Sequence, residues 1–550
     1  MKKIFSIAIL AIIIYGCSDF LKEENKSNGA ASTDIFYSTA SGYKSLVNVC
    51  YASLRAVWGN EPYLFSAGTD LFERGKNPAP SGISTYLTLG STEASVSDFY
   101  TRCYAGIQKC NIAIYYSDKT EQNAELPKLK AEAIFIRALY YFNLVQQFGG
   151  VPIVEEMIST PVTSFERKSA AEVYSFIISQ MEGLLTVALP DKSTGANYGR
   201  VDKRTLNHFL SKVYLCRGWE AGIGSPADFD KAISYGKAAI GADRLTLSFA
   251  DVFKVGNEKN AEVIFSVQWD VVSMVSTTTD GNMQGGMFGT QFDPPLINKN
   301  PYITGTLVPG RRLYELFQNG DERYQVSFLT SIYTYALDYY FMTAAQLAAT
   351  NITHYYPPYW ATSDADIAAW RAIDPAHRAA TKVHKFDNVM FTDVNNYARP
   401  ILKKCLDPTA QIAAKASTRD VFLARLAETY LNVAEAYYKK EGNGSNALSY
   451  VNEVRGRAKA TLATAGDITI DFILDERARE TAGEYCRWTD LKRTGKLKEY
   501  ASKYNADIKS LIGLGTDPFK GPDGKDKILR PLPSSALDAN KADMPQNPGY

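Results

Sequence analysis

The chain has 550 residues, 45% of them hydrophobic, and its 60 basic and 59 acidic side chains leave a net charge of +1. That length holds one large domain or two to four ordinary ones, and the hydrophobic share is that of a globular protein. The balanced charge leaves no domain-scale basic field for nucleic acid and no acidic tail.

Lys2 and Lys3 precede an apolar run, Ile4 to Ile14, which closes in Tyr15-Gly16-Cys17. The run is shorter than the ~20 residues a bilayer-spanning helix needs. It fits the hydrophobic region of a secretory signal. Small Gly16 before Cys17 resembles a bacterial lipobox. Residues 1–16 would then be a signal peptide, and Cys17 would carry acyl chains, each buried CH₂ contributing ~0.8 kcal/mol of membrane affinity. An ordinary signal with an incidental cysteine is the plainer alternative. Residues 17–33 read as the lipidated Cys17 and a flexible tether. The acidic stretch Ser18-Asp19-Phe20-Leu21-Lys22-Glu23-Glu24 resembles a surface-export signal and equally a solvated linker.

The spacing of 3 and 4 among Leu129, Ala133, Ile136, Tyr140, Leu144 and Phe148 predicts a helix over 126–148. Pro127 suits its first turn, and Gly149-Gly150 stops it. Further helix pairs are predicted at 203–222 with 227–241, and at 421–440 with 445–459. Short turns and Ala/Tyr contact positions make these pairs similar to tetratricopeptide units, although their irregular spacing is not a tandem array. Between them lie long segments where binding function tends to sit: 59–98, rich in Gly, Pro, Ser and Thr; 242–310, with a strand-like run from Val263 to Trp269; and 331–384, crowded with Tyr and Trp. The expected fold class is mainly α: helix pairs carrying large irregular segments and a few short strands.

After Cys17, six cysteines remain, without CxxC or zinc spacing. On one helix Cys103 and Cys110 would sit ~10 Å apart, too far for a disulfide, so buried free thiols are expected. The catalytic scan finds no GxSxG, HExxH, P-loop or GxGxxG. No histidines stand at helical metal-ligand spacing, and Asp523-Gly524-Lys525-Asp526 lacks the pattern of a calcium loop. Glu428 and Glu435 share a predicted helix face, where Arg425 would neutralise Glu428 at i,i+3. Glu476, Arg477, Arg479 and Glu480 read as another mixed-charge face.

Six blocks, in order along the chain, resemble the SusD/RagB family of outer-membrane nutrient-binding lipoproteins. They are Cys17-Ser18-Asp19-Phe20-Leu21; Tyr104 to Asn111; Ala131-Glu132-Ala133 through Arg137-Ala138 with Phe148-Gly149-Gly150-Val151-Pro152; Arg425-Leu426-Ala427-Glu428 with Asn452 to Ala458; Glu476-Arg477 with Arg487-Trp488-Thr489-Asp490-Leu491; and Pro531-Leu532-Pro533 with the terminal Gln546-Asn547-Pro548-Gly549-Tyr550. The resemblance implies a SusD-like unit over 34–550, its parts 34–240 and 241–550 packed together. It implies a surface lipoprotein, not an enzyme. Such a protein binds oligosaccharides and passes them to a SusC-like TonB-dependent transporter. It needs no cofactor, and whether calcium orders a loop stays open.

The physics of sugar capture asks for exposed aromatic faces beside polar side chains. In the first variable segment the candidates are Trp58, Tyr63, Asp70, Glu73 and Arg74. In the later insertion they are Tyr356, Tyr359, Trp360 and Trp370. Trp269 reads equally as core or rim, and Trp488 as structural. A peptide receptor of the same build, a surface glycoside hydrolase and a ligand-free scaffold are the alternative readings.

Overall fold

The computed structural model describes residues 33–59, 63–75, 77–270, 281–288, 305–334, 338–392, 399–408 and 417–550. The signal, Cys17 and the tether through Ser32 lie outside the described residues.

The apolar stripe of 126–148 becomes the helix Leu126–Phe148, and Gly149 closes it at φ 68°, where other residues are strained. Burial on nearly every side makes it a central helix rather than a surface one. It packs between Ala94–Ser117 and Ala170–Gly183. The predicted pairs are present as Lys203–Trp219 with Pro226–Ile240 and Leu426–Glu441 with Ala447–Arg457. Pro226–Ile240 also lies against Leu426–Glu441, so the two pairs stack across a long insertion. Gly236 makes that crossing close, because a Cβ there would sit 2.4 Å from Val433 Cγ2.

Nine short strands occur among the described residues: β1 (Phe72–Arg74), β2 (Val263–Val267), β3 (Leu307–Pro309), β4 (Phe328–Leu329), β5 (Ser331–Ile332), β6 (His354–Tyr355), β7 (Lys382–Val383), β8 (Ile401–Leu402) and β9 (Val421–Arg425). β9 corrects the sequence reading, which placed 421–425 in a helix. Val421, Phe422 and Leu423 suit a strand as well as a helix, and pairing with β2 decides between them. The helix starts only at Leu426. Arg425 therefore does not reach Glu428; it bonds Glu480 Oε1 (Nη1, 2.9 Å) and Glu484 instead. Glu428 meets Lys212 Nζ at 2.7 Å.

The fold is mainly α. One apolar cluster runs from Tyr43 to Met544, through both the early and the late helices. The six described cysteines are buried free thiols within it or beside it. Glu476 and Glu480, read from the sequence as part of a mixed-charge helix face, are wholly buried. Arg323 bonds both, Arg455 and Arg479 bond Glu476, and Arg457 and Arg425 bond Glu480. Burial alone would raise the Glu480 carboxyl, but Arg457, Arg425 and Arg323 outweigh it and hold it at about 2.

Between β4 and β8 the chain makes an insertion that stays packed on this body: Phe328, Met390 and Leu402 belong to the large cluster, and Trp360, Phe386 and Phe391 lie against it. β4 pairs antiparallel with β8, Phe328 opposite Leu402 and Leu329 opposite Ile401. A second apolar cluster, Leu329, Ile332, Tyr356, Ile401 and Leu406, fills its base.

Candidate functional site

Within the insertion, β6 pairs antiparallel with β5 and parallel with β7, placing Tyr355 opposite Ser331 and Val383, and His354 opposite Ile332 and Lys382. Alternate strand residues point to opposite faces, so His354 and Tyr355 project oppositely. On one face His384 lies between His354 and Tyr356, its ring 10° and 11° from theirs. His354 Nδ1 is 2.9 Å from His384 Nε2. Burial, then Lys382, depresses the His354 pKa. Tyr356 is 1% exposed and belongs to the small apolar cluster, so this face is packing, not platform. The sequence scan missed the His354–His384 pair because strand pairing, not helical spacing, creates it.

The opposite face is partly exposed. Tyr355 stacks on Trp370 with centroids 4.0 Å apart and planes 2° apart. Trp370 sits on the helix Asp364–Ile373, started by a reciprocal Ser363–Asp366 cap. The following turn, Pro375–Arg378, lays the Arg378 guanidinium 4.7 Å from the Trp370 ring centre and donates Nη1 to the Trp370 carbonyl at 2.8 Å. Tyr355 already covers one indole face, so Arg378 takes the other. Tyr333, just past β5, is close enough for Arg378 to oppose the rise that burial gives its phenol. Arg371 donates to the Thr381 carbonyl at 3.0 Å and fastens the helix to the sheet. The result is a surface of ring edges, phenol hydroxyls and a guanidinium.

Tyr359 and Trp360 stand on the neighbouring turn, half-buried. Trp360 packs edge-on against Tyr324 and Tyr359, each at 5.0 Å, and Tyr359 donates to the Phe317 carbonyl at 2.9 Å. They clamp the insertion to the main body.

Of the first-segment candidates, Trp58, Asp70 and Glu73 require correction. Trp58 is 2% exposed, beside Tyr140. Asp70 is buried in a two-point ion pair with Arg487, and Glu73 in β1 is bonded by Arg399 Nη1 at 2.6 Å. Arg74 is half-buried, its backbone N–H donating to Asp507, and Tyr63 packs against the main cluster. The Gly/Pro-rich composition suggested a surface loop. Pairing of β1 with the distant β3 draws that segment inward instead. Trp269 is core, 5% exposed, under Arg55 and tied by its N–H to Asp420. Trp488 is fully buried, as its structural reading expects.

Two other concavities compare poorly. An interior cavity lined by Trp58, Lys212, Glu428 and Glu484 holds about 30 Å³, room for one or two waters and not for a sugar. A cleft of about 410 Å³ opens beside Trp219, Lys492 and Asp526. Its indole is engaged, the N–H on Glu435 and the ring under Lys439 at 4.1 Å. Glu435, one of the two carboxylates sharing the 426–441 helix, is locked to Arg493. Among the described residues no group of three or more His, Cys, Asp or Glu could hold a metal ion. None of the described helices is long and apolar enough to cross a membrane.

The sequence profile described as "SusD family" matches residues 220–550. The chain belongs to the SusD family. A second profile, "Starch-binding associating with outer membrane", matches residues 19–215. SusD-like protein P2 of Formosa agariphila is 26% identical over 100% of both chains. Starch-binding protein SusD of Bacteroides thetaiotaomicron is 26% identical over 79% of this chain and 76% of its own. Among solved structures, surface glycan-binding protein A of Bacteroides thetaiotaomicron, in complex with laminarihexaose, superposes with a TM-score of 0.66 at 20% identity, covering 93% of this chain and 100% of that one. That likeness extends the shared fold over 93% of the chain.

Proposed function

We propose that this SusD-family protein is a surface lipoprotein that captures oligosaccharides and passes them to a SusC-like TonB-dependent transporter without cleaving them. Acyl chains on Cys17 anchor it to the outer membrane facing outward, and residues 17–33 give it reach. Capture occurs on the Tyr333–Tyr355–Trp370–Arg378 face. The observation that carries this reading is the Tyr355–Trp370 stack, partly exposed, with Tyr355 fixed by the sheet and the helix of Trp370 fastened to it by Arg371. Sugar hydroxyls pair with the phenol and guanidinium groups, and sugar C–H groups meet the exposed ring edges. Rings held in place before binding lose little freedom on binding. The names of the relatives, which bind starch or carry laminarihexaose, support the ligand class.

The test titrates protein comprising residues 18–550 with a panel of purified oligosaccharides, following heat of binding and new reducing ends together. Saturable heat without new ends supports capture; new ends would make it a hydrolase. Copurification of the full-length protein with a SusC-like partner tests delivery.

A further inference from the structure

The outermost layer of the aromatic stack is a cation. The order from the sheet is Tyr355, Trp370, Arg378. Arg378 spends Nη1 on the Trp370 carbonyl, and its Nε is buried without a hydrogen-bond partner, which leaves Nη2 as the group a ligand would meet. Arg371 spends Nη2 on the Thr381 carbonyl, and its Nε likewise lacks an acceptor. Thr381 N–H bonds the Arg378 carbonyl at 3.2 Å, so both arginines adjoin the same short turn. Among the described residues neither arginine pairs with a carboxylate. The nearby acids are committed elsewhere: Asp374 to His377 at 3.0 Å, Asp364 to Lys385 at 2.5 Å, and Asp366 to the Ser363 cap.

A protein that only stacks neutral sugars has no need to leave two guanidinium groups uncompensated beside its platform. Planar guanidinium donors suit a carboxylate or sulfate with two-point geometry.

We infer that the saccharide this face selects is anionic, bearing carboxylate or sulfate groups that engage the Arg378 and Arg371 side chains while its ring lies along the exposed edges of Trp370 and Tyr355. The inference rests on the glycan-capture reading of this face.

The experiment uses two matched probe pairs: a glucuronate tetramer with its carboxyl-reduced neutral form, and a sulfated galactan tetramer with its desulfated form. Affinities are measured for the unmodified protein and for Trp370→Ala, Arg378→Gln and Arg378→Lys, with melting curves as folding controls. An anionic probe is expected to bind at least about tenfold tighter than its neutral partner, an advantage that shrinks with added salt as opposite charges are screened. Arg378→Gln should erase most of it and Arg378→Lys should keep part. Which probe pair shows the advantage distinguishes carboxylate from sulfate. Should Arg378→Gln not fold, the salt dependence and Arg378→Lys still decide. Equal affinity for both members of each pair, with Trp370→Ala weakening both, overturns the anionic inference and leaves the capture site standing. Arg378→Gln weakening both members equally also overturns it, as does failure of every anionic probe to bind. Binding of any probe that neither Trp370→Ala nor Arg378→Gln alters removes the capture site itself.

Discussion

Arg487 grips both carboxylate oxygens of Asp70, Nε to Oδ1 at 2.8 Å and Nη2 to Oδ2 at 2.6 Å, across 417 residues of sequence. Both side chains are buried, so the pair joins the start of the fold to its last third. Removing one partner of such a pair leaves a buried charge and costs ~3–5 kcal/mol. Asp70→Asn should lose stability of that order in a denaturant titration. A loss below ~1 kcal/mol would show that water or a neighbour takes over the guanidinium.

Stability should fall in acid, with Glu480 as one cause. Its folded-state pKa is about 2 against an ordinary 4.5. Its stabilisation is therefore complete above about 4.5 and is lost as pH falls from there through about 2. Asp420, which burial pushes up to about 6 from 3.8, acts oppositely, gaining as pH falls between those values. The denaturation midpoint should therefore drop most steeply below about pH 4. A midpoint unchanged down to pH 2 would contradict the buried network.

The two insertion tryptophans should separate by readout. Trp370→Ala is expected to weaken oligosaccharide binding at least about tenfold, a loss of ~1.4 kcal/mol, beyond the stability it loses by uncovering Tyr355 and Arg378. Trp360→Ala, which strips packing from Tyr324 and Tyr359, should instead cost ~1–3 kcal/mol of stability. Calorimetric binding curves and melting curves on both variants check this. The reverse pattern would move the site to the Tyr359–Ala361 turn.

Gly236→Ala tests the stacked helix pairs. Alanine favours a helix over glycine by ~1 kcal/mol. Here its methyl would also meet Ser211 Oγ at 2.9 Å, besides Val433. Overpacking of that kind costs ~1–3 kcal/mol, so net destabilisation is expected by thermal melting. A stabilised variant would mean that the helices separate freely.

Cys17→Ala should release the protein from membranes into the soluble fraction. A variant that still sediments with membranes in cells lacking the transporter would remove the lipid anchor.

The sequence made the helices legible and the site only partly so. The 126–148 helix could be read to its ends because its period, Pro127 and Gly149 are local signals. Val421 to Arg425 could not, since the same residues suit either element until β2 pairs with them. Trp370 was found from its composition-rich segment. Tyr355, Tyr333 and Arg378 were not singled out, because their meeting depends on the β5–β6–β7 register and on a turn eight residues past Trp370. Asp70 and Glu73 looked like loop ligands because their partners, Arg487 and Arg399, lie hundreds of residues away.

The position of the aromatic face outside both apolar clusters has an evolutionary consequence. Tyr333, Tyr355, Trp370 and Arg378, the residues we propose for capture, belong to neither the large apolar cluster nor the five-residue one. A lineage moving to a new food source can therefore exchange Tyr333, Trp370 or Arg378 one at a time, while the inherited helical body continues to fold as before.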